Sequence, residues 1–229
     1  MTKTIKDILL EMAVPTEDVR NKTFYHGYSP RQEKVDGKWV KKDIGEKIAD
    51  EGIIKAQSEK LKGALAPVQG RSYVTPHIGY AQMYALGGDI AGNKHDSERD
   101  SKYGYMFKIH GHALSNDIQP DEDNIGQMVG SKGKTGPTWL HKLASKHVAA
   151  SRIKSAEDGE YSAYAKIGKQ LVTKMTPDQK IDLIVNHGAH VANAGDIHFA
   201  EAWRIDKEAH QHKLNKDGSN FFDYAERIK

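Results

Sequence analysis

The stretch Gly70-Arg71-Ser72-Tyr73-Val74-Thr75-Pro76-His77-Ile78-Gly79-Tyr80-Ala81-Gln82-Met83-Tyr84-Ala85 changes character at its middle. Arg71 to Thr75 alternates like a short strand with β-branched and aromatic members. Pro76 then stands where a helix can begin, because the N–H it lacks would have no partner in a first turn. The spacing of Ala81, Tyr84 and Ala85 predicts a helix running to about Leu86 and ended by Gly87-Gly88. A strand carrying Tyr73, followed by a helix that brings back Tyr84, can hold a flat ligand between two rings. Taken by itself, the stretch favours the plainer outcome in which both rings are core.

Composition bounds what that stretch can serve. A chain of 229 residues suits one large domain, or a domain with a sizeable insertion, and can bury a real core. Charged residues make up 28% and the hydrophobic set 38%, the balance of a soluble folded protein. No apolar run approaches the roughly 18 to 20 residues that span a bilayer, and the first residues lack the apolar core and cleavage site of a secretory signal. A cytoplasmic protein with no membrane partner is the expectation. The absence of cysteine excludes disulfides, thiolate metal sites and thiol nucleophiles together. A formal charge of +3, with basic and acidic residues interspersed, gives no support for a nucleic-acid partner.

In chain order, Ile5, Ile8, Leu9 and Met12 predict a helix over Thr4 to Ala13, stopped by Pro15. Lys22 to Gly27 reads as a strand, and Arg31 to Asp43 as a surface hairpin or loop around Trp39. Ile44 to Leu61 carries helix signals broken at Glu51-Gly52-Ile53-Ile54. Gly87 to Lys102 is a polar loop without period. Tyr103 to Leu114 is the clearest strand, with Tyr103, Tyr105, Phe107 and Ile109 on one face, and it should lie centrally. Ser115 to Gly126 reads as a loop bearing Asp121-Glu122-Asp123, and Gly130 to Pro137 as a basic turn. Thr138 to Val185 has helical spacing and looks like an insertion. Ile197 to Ile205 reads as one strand with Ile197, Phe199, Glu201, Trp203 and Ile205 on a face, although a helix also suits it. The tail from Glu208 is polar, with Phe221, Phe222 and Tyr224 as a docking patch.

Few residues are placed to do chemistry. His26 ends a strand directly before a glycine, where an imidazole can project into a cleft; a lone histidine is more often a satisfied structural group. Glu201 falls on the apolar parity of its strand, so its carboxylate must be paired, hydrogen-bonded or shifted in pKa. Asp121, Glu122 and Asp123 match no calcium loop, and clustered loop acids are usually solvated. Gly133-Lys134-Thr135 imitates a phosphate loop, but Met128 occupies the position of the required early glycine. No dinucleotide fingerprint and no nucleophile elbow is present. The pairs His110-x-His112, His187-x-x-His190 and His210-x-His212 lack further ligands for a metal.

The order of these features resembles the ADP-ribosyltransferase superfamily, in its His-Tyr-Glu branch of diphtheria-toxin and poly-ADP-ribose polymerase relatives. The residues that carry the resemblance are Tyr25-His26-Gly27, Gly70 to Thr75, Ala81 to Tyr84, Tyr103 to Phe107 and Glu201 to Ile205. It covers roughly residues 22 to 115 and 185 to 206. The fold it implies is α+β, a split β-sheet core with surrounding helices, here one domain with a helical insertion at about 130 to 185. The ligand it implies is NAD as co-substrate, bound in a cleft between two sheets.

By that resemblance His26, Tyr73 and Glu201 are the catalytic set. His26 would bond a ribose hydroxyl, the Gly27 backbone would pair with the nicotinamide carboxamide, and Tyr73 and Tyr84 would flank the ring. Glu201 would bond the 2′-hydroxyl and stabilise the positive charge that grows as the glycosidic bond breaks. Ser29 and Thr75 complete the NAD-binding residues; relatives carry Ser or Thr directly after His-Gly, whereas here Tyr28 intervenes. Some relatives place the acid soon after the third strand, which would point to Asp117, Asp121, Glu122 or Asp123. The implied activity is transfer of ADP-ribose to a macromolecule, a protein in preference to nucleic acid. An RNA 2′-phosphotransferase, an NAD glycohydrolase and an inactive binding or inhibitory module on the same fold are the alternatives.

Overall fold

In the computed structural model, residues 17–30, 32–35, 38–41, 44–57, 68–88, 102–131 and 135–229 are described. The helix expected over 4–13, most of the loop expected over 87–102 and part of the basic turn lie outside them. The first elements are α1 (Glu17–Arg20), β1 (Thr23–Tyr28), β2 (Gln32–Val35), β3 (Lys38–Lys41), α2 (Gly45–Glu51), β4 (Ile53–Ile54), β5 (Arg71–Val74) and α3 (Ile78–Ala85). Next come β6 (Tyr103–His110), β7 (Ile118–Pro120), α4 (Glu122–Gly130), α5 (Thr138–His147), α6 (Ala150–Glu157), α7 (Tyr161–Val172) and α8 (Pro177–Asn186). The last are β8 (Val191–Ala194), β9 (Ile197–His198), β10 (Glu201–Asp206), α9 (Lys207–His210), α10 (Phe221–Tyr224) and β11 (Glu226–Arg227). The fold is mixed α+β with antiparallel pairing. It divides into two units, one drawn from Met1–Asn21, Lys55–Tyr73 and Leu114–Asp196, the other from Lys22–Ile54, Val74–Ala113 and Ile197–Lys229.

The second unit is built on β6. Its Tyr105, Met106, Phe107 and Ile109 are all fully buried, so both faces are covered, which suits a central strand. β1 and β10 flank it antiparallel and β11 closes the order β1-β6-β10-β11. In register, Tyr25 and Glu201 both oppose Lys108, and His26 and Ala202 both oppose Phe107. Tyr105 and Phe107 share the face that the alternation predicts. On that face α2 begins against the Tyr105 ring, and Phe199 packs 4.7 Å from Phe107, centroid to centroid.

The other face carries α3. Its Ala81 and Ala85 join Met106, Trp203, Ile205 and Phe221 in one buried cluster. Two glycines of the sheet allow the helix backbone to come down onto it. A Cβ on Gly27 would stand 1.8 Å from the Ala81 carbonyl oxygen, and one on Gly104 would stand 2.0 Å from that of Ala85. The tail docks on the same face: Phe221 is fully buried, and the Phe222 ring lies 4.5 Å from Trp203 and 6.4 Å from Tyr25.

Two sequence expectations are corrected here. The strand expected over 197–205 is interrupted: β9 pairs with β4, the Ala200 N–H donates to the Lys108 carbonyl at 2.8 Å, and only then does β10 begin. Phe199 thereby turns to the Phe107 side, away from the face shared by Glu201, Trp203 and Ile205. The loop expected over 115–126 instead contains β7 and the start of α4. Asp121 is the N-cap of that helix, its carboxylate accepting from the Asp123 N–H at 3.2 Å, and acidic residues in a first turn offset the unpaired N–H groups there. The hairpin expected within 31–43 is present as β2 paired with β3.

The first unit joins a three-stranded sheet, in the order β5-β8-β7, to the helical block. Leu140 of α5, Ile167 and Leu171 of α7, and Leu183 and Ile184 of α8 are among its fully buried side chains. Pro177 opens α8 as its sequence predicts, behind a capping box in which Thr176 and Gln179 satisfy each other's backbone N–H. The Trp139 indole donates to Asp182 at 3.0 Å and ties α5 to α8. Among the described residues no helix is long and apolar enough to cross a membrane.

Gly27→Ala is expected to lower stability by about 1–3 kcal/mol, because the added methyl meets helix backbone that has no rotamer to give. Thermal unfolding of the purified variant checks this, and an unchanged midpoint would mean that α3 does not lie so close.

Candidate functional site

Most of the residues singled out from the sequence belong to the second unit. Tyr25 and Thr75 exchange backbone hydrogen bonds at 2.8 and 2.9 Å, which sets the end of the Arg71–Thr75 segment beside His26-Gly27. The buried Thr75 hydroxyl accepts from the His77 N–H at 3.1 Å and so turns the chain into α3. Tyr84, half-buried, rides on that helix, and Gly27 lies beneath it. The His26 ring stacks on Phe107, with centroids 6.2 Å apart and planes inclined by 30°. Ser29, just beyond β1, accepts a hydrogen bond from Lys207 Nζ at 2.8 Å. His26, Gly27, Ser29, Thr75 and Tyr84 therefore sit on β1 and on the segment paired or packed against it.

Glu201 lies on the α3 side of the sheet with Gly27, and His26 lies on the other. Directly opposed residues of an antiparallel sheet project from one face, and successive residues alternate. Glu201 shares its row with Lys108 and Tyr25, whereas His26 belongs to the next row, with Phe107 and Ala202. The carboxylate and the imidazole thus leave the sheet on opposite sides. Lys108 Nζ donates to Glu201 Oε1 at 2.8 Å, and Arg227 Nη2 lies 3.5 Å from Oε2. The hydrogen bond from Lys108, with the nearby positive charges, holds the Glu201 carboxyl below the ordinary carboxylate range. The pairing that its apolar-facing parity demands is present, and both oxygens face cations.

The remaining carboxylates and Tyr73 lie in the first unit. Arg71 forks onto Asp117, with Nη1 3.1 Å from Oδ1 and Nη2 3.1 Å from Oδ2, and also donates to the Asp117 carbonyl at 3.0 Å. Asp117 therefore fastens the head of β5 to the approach to β7. The Tyr73 hydroxyl accepts from the Val68 N–H at 2.8 Å. Burial raises the Tyr73 pKa, and the charges of Asp121, Glu122 and Asp123 raise it further. Burial also pushes Asp121 up to about 7, aided by Asp123, and pushes Asp123 up to about 6 against the pull of Lys169. Glu122 is raised by burial while Lys169 and Arg71 pull it down. The start of α4 thus holds carboxyl groups that exchange protons closer to neutrality than solvated acids do.

Sequence reasoning missed this character. The available signal was Asp121 three and four residues ahead of Asn124 and Ile125, with Met128 and Val129 following at helical spacing, a helix start in place of a loop. It also passed over Lys207, and over Asn193, which is fully buried and accepts from the Ser115 N–H at 2.7 Å while donating to the Ala194 carbonyl at 3.0 Å. Among the described residues no group of three or more His, Asp or Glu side chains could hold a metal ion.

Asp121 supplies a pH test. The folded protein binds its proton more tightly than the unfolded chain does, so its contribution favours folding in acid. That contribution is lost as the pH rises from the ordinary value of 3.8 through about 7. Asp121→Asn keeps an N-cap acceptor without the charge. Its melting temperature should exceed that of the parent at about pH 8, and the gap should narrow as the pH falls through about 7 and close below the ordinary value of 3.8; a gap that stays constant with pH would show that Asp121 titrates normally. Comparison with family models, with curated proteins and with solved structures gave no match to this chain.

Proposed function

We propose that the chain is an NAD-dependent ADP-ribosyltransferase, which breaks the bond between nicotinamide and ribose and passes ADP-ribose to a macromolecular acceptor, a protein. The observation that carries the reading is the two-way backbone pairing of Tyr25 with Thr75. Motif segments far apart in sequence, at His26-Gly27, at Thr75 and at Tyr84 on the following helix, become neighbours through it. Antiparallel sheets in a mixed α+β chain are compatible with the split-sheet core that the resemblance implies. In this reading His26 bonds a ribose hydroxyl of NAD, the Gly27 backbone and Ser29 hold the carboxamide, and Tyr84 packs on the ring. The ring contact assigned to Tyr73 rests on the resemblance alone.

The reaction also needs a carboxylate to meet the positive charge that develops on the ribose. Glu201 shares its face of the sheet with Gly27 and α3, the helix that carries Tyr84, and is held by Lys108 and Arg227. Asp117 is engaged by Arg71, and Asp121 by its cap. The resemblance gives the role to Glu201, with Asp117, Asp121, Glu122 and Asp123 as the alternatives that some relatives suggest. A second reading, a module that binds NAD without turnover, is favoured by the wholly structural engagement of Glu201 and by the packing need that accounts for Gly27.

Purified protein incubated with labelled NAD and cell lysate is expected to release nicotinamide and label a macromolecule. Glu201→Gln should reduce the rate roughly hundredfold or more, while Glu122→Gln should retain turnover. Survival of turnover with Glu201→Gln and its loss with Glu122→Gln would move the acid to the start of α4. Binding of NAD without nicotinamide release would establish the inactive module.

A further inference from the structure

Lys207 is only 8% exposed, an unusual state for a residue type that normally carries its charge to water. Its Nζ donates to Ser29 Oγ at 2.8 Å, the first hydroxyl after His26-Gly27. Both partners are held from behind. The Lys207 N–H donates to the Lys102 carbonyl at 3.1 Å, and Asp206 caps α9 by accepting from the Ala209 N–H at 3.1 Å. Ser29 follows Tyr28, the last paired residue of β1, and precedes the buried Pro30.

The chemistry of the pair has a direction. An ammonium group has three donors and no acceptor. The Ser29 oxygen must accept from it, and a hydroxyl whose oxygen accepts keeps its own hydrogen to donate elsewhere. The positive charge also polarises the O–H, and hydrogen bonds that involve an ionised partner are about twice as strong as neutral ones. Resting on the function proposed above, we infer that Lys207 is a positioning residue for the nicotinamide end of NAD. It fixes the Ser29 hydroxyl as a donor to the carboxamide carbonyl oxygen. The hydroxyl stands one place later than directly after His-Gly, displaced by Tyr28, and the lysine supplies the restraint that a free serine rotor lacks.

The test compares Lys207→Met, Lys207→Arg, Ser29→Ala and the double variant Lys207→Met with Ser29→Ala. Nicotinamide release gives kcat and KM for NAD, and thermal unfolding is followed in parallel. Lys207→Met should raise KM roughly threefold to tenfold, the worth of one neutral hydrogen bond, with kcat little changed. Lys207→Arg should restore much of that loss because it keeps a charged donor. The double variant should be no worse than either single one, since both act through one hydrogen bond. Losses that multiply in the double variant, or a lower melting temperature with KM unchanged, would overturn the inference and leave Lys207 a packing residue. A wild-type chain that binds NAD without turnover transfers the same expectations from KM to the Kd measured by calorimetry. Absence of both nicotinamide release and NAD binding in the wild-type chain would overturn the proposed function, and this inference with it, a result distinct from any difference among the variants.

Discussion

The carbonyl oxygens of Ala81 and Ala85 occupy the space that side chains on Gly27 and Gly104 would fill. Backbone against backbone is a closer approach than any pair of side chains permits, and it commits α3 to one position over β1 and β6. The consequences spread through the second unit. With the helix so low, Ala81 and Ala85 complete a cluster with Met106, Trp203, Ile205 and Phe221. Each large side chain buried there contributes about 1.5–3 kcal/mol. The tail gains a surface on which Phe222 can lie, and Tyr84 is carried to a fixed height above the sheet. A glycine next to His26 is therefore a packing requirement first.

Charge is distributed according to a different constraint, that a buried ion needs a partner. Glu201 has Lys108 and Arg227, the largely buried Arg71 has Asp117, and Lys207 has the Ser29 hydroxyl. The group at the start of α4 answers the constraint in another way. Asp121, Glu122 and Asp123 are crowded at a helix N-terminus, where one carboxylate satisfies an orphan N–H but three repel one another, and burial raises all three. Burial raises the acids at the start of α4, whereas the hydrogen bond from Lys108 lowers Glu201, two opposite answers within one chain.

Much of the fold was legible from short periodicities. Alternation identified β6 and its buried ring face, and the strand-to-helix change at Pro76 located β5 and α3. Legibility failed where the deciding partner was distant. Nothing within Ile197 to Ile205 shows that Ile197 and His198 will pair with Ile53 and Ile54, so the break at Phe199 and Ala200 was invisible. The acids at 121 to 123 read as solvated because the elements that bury them come from elsewhere in the chain.

The sequence by itself determined the local elements, the pairing that Glu201 would demand, and the set of residues from which a site could be drawn, because these follow from side-chain period and from the desolvation of single groups. Only the tertiary structure decided which of those residues share a face. Register across β1, β6 and β10 is set by three strands at once, and one residue of register separates His26 from the row of Glu201. The same holds for Lys207 and Ser29, 178 residues apart in the chain, whose hydrogen bond exists because β1 and β10 flank the same strand.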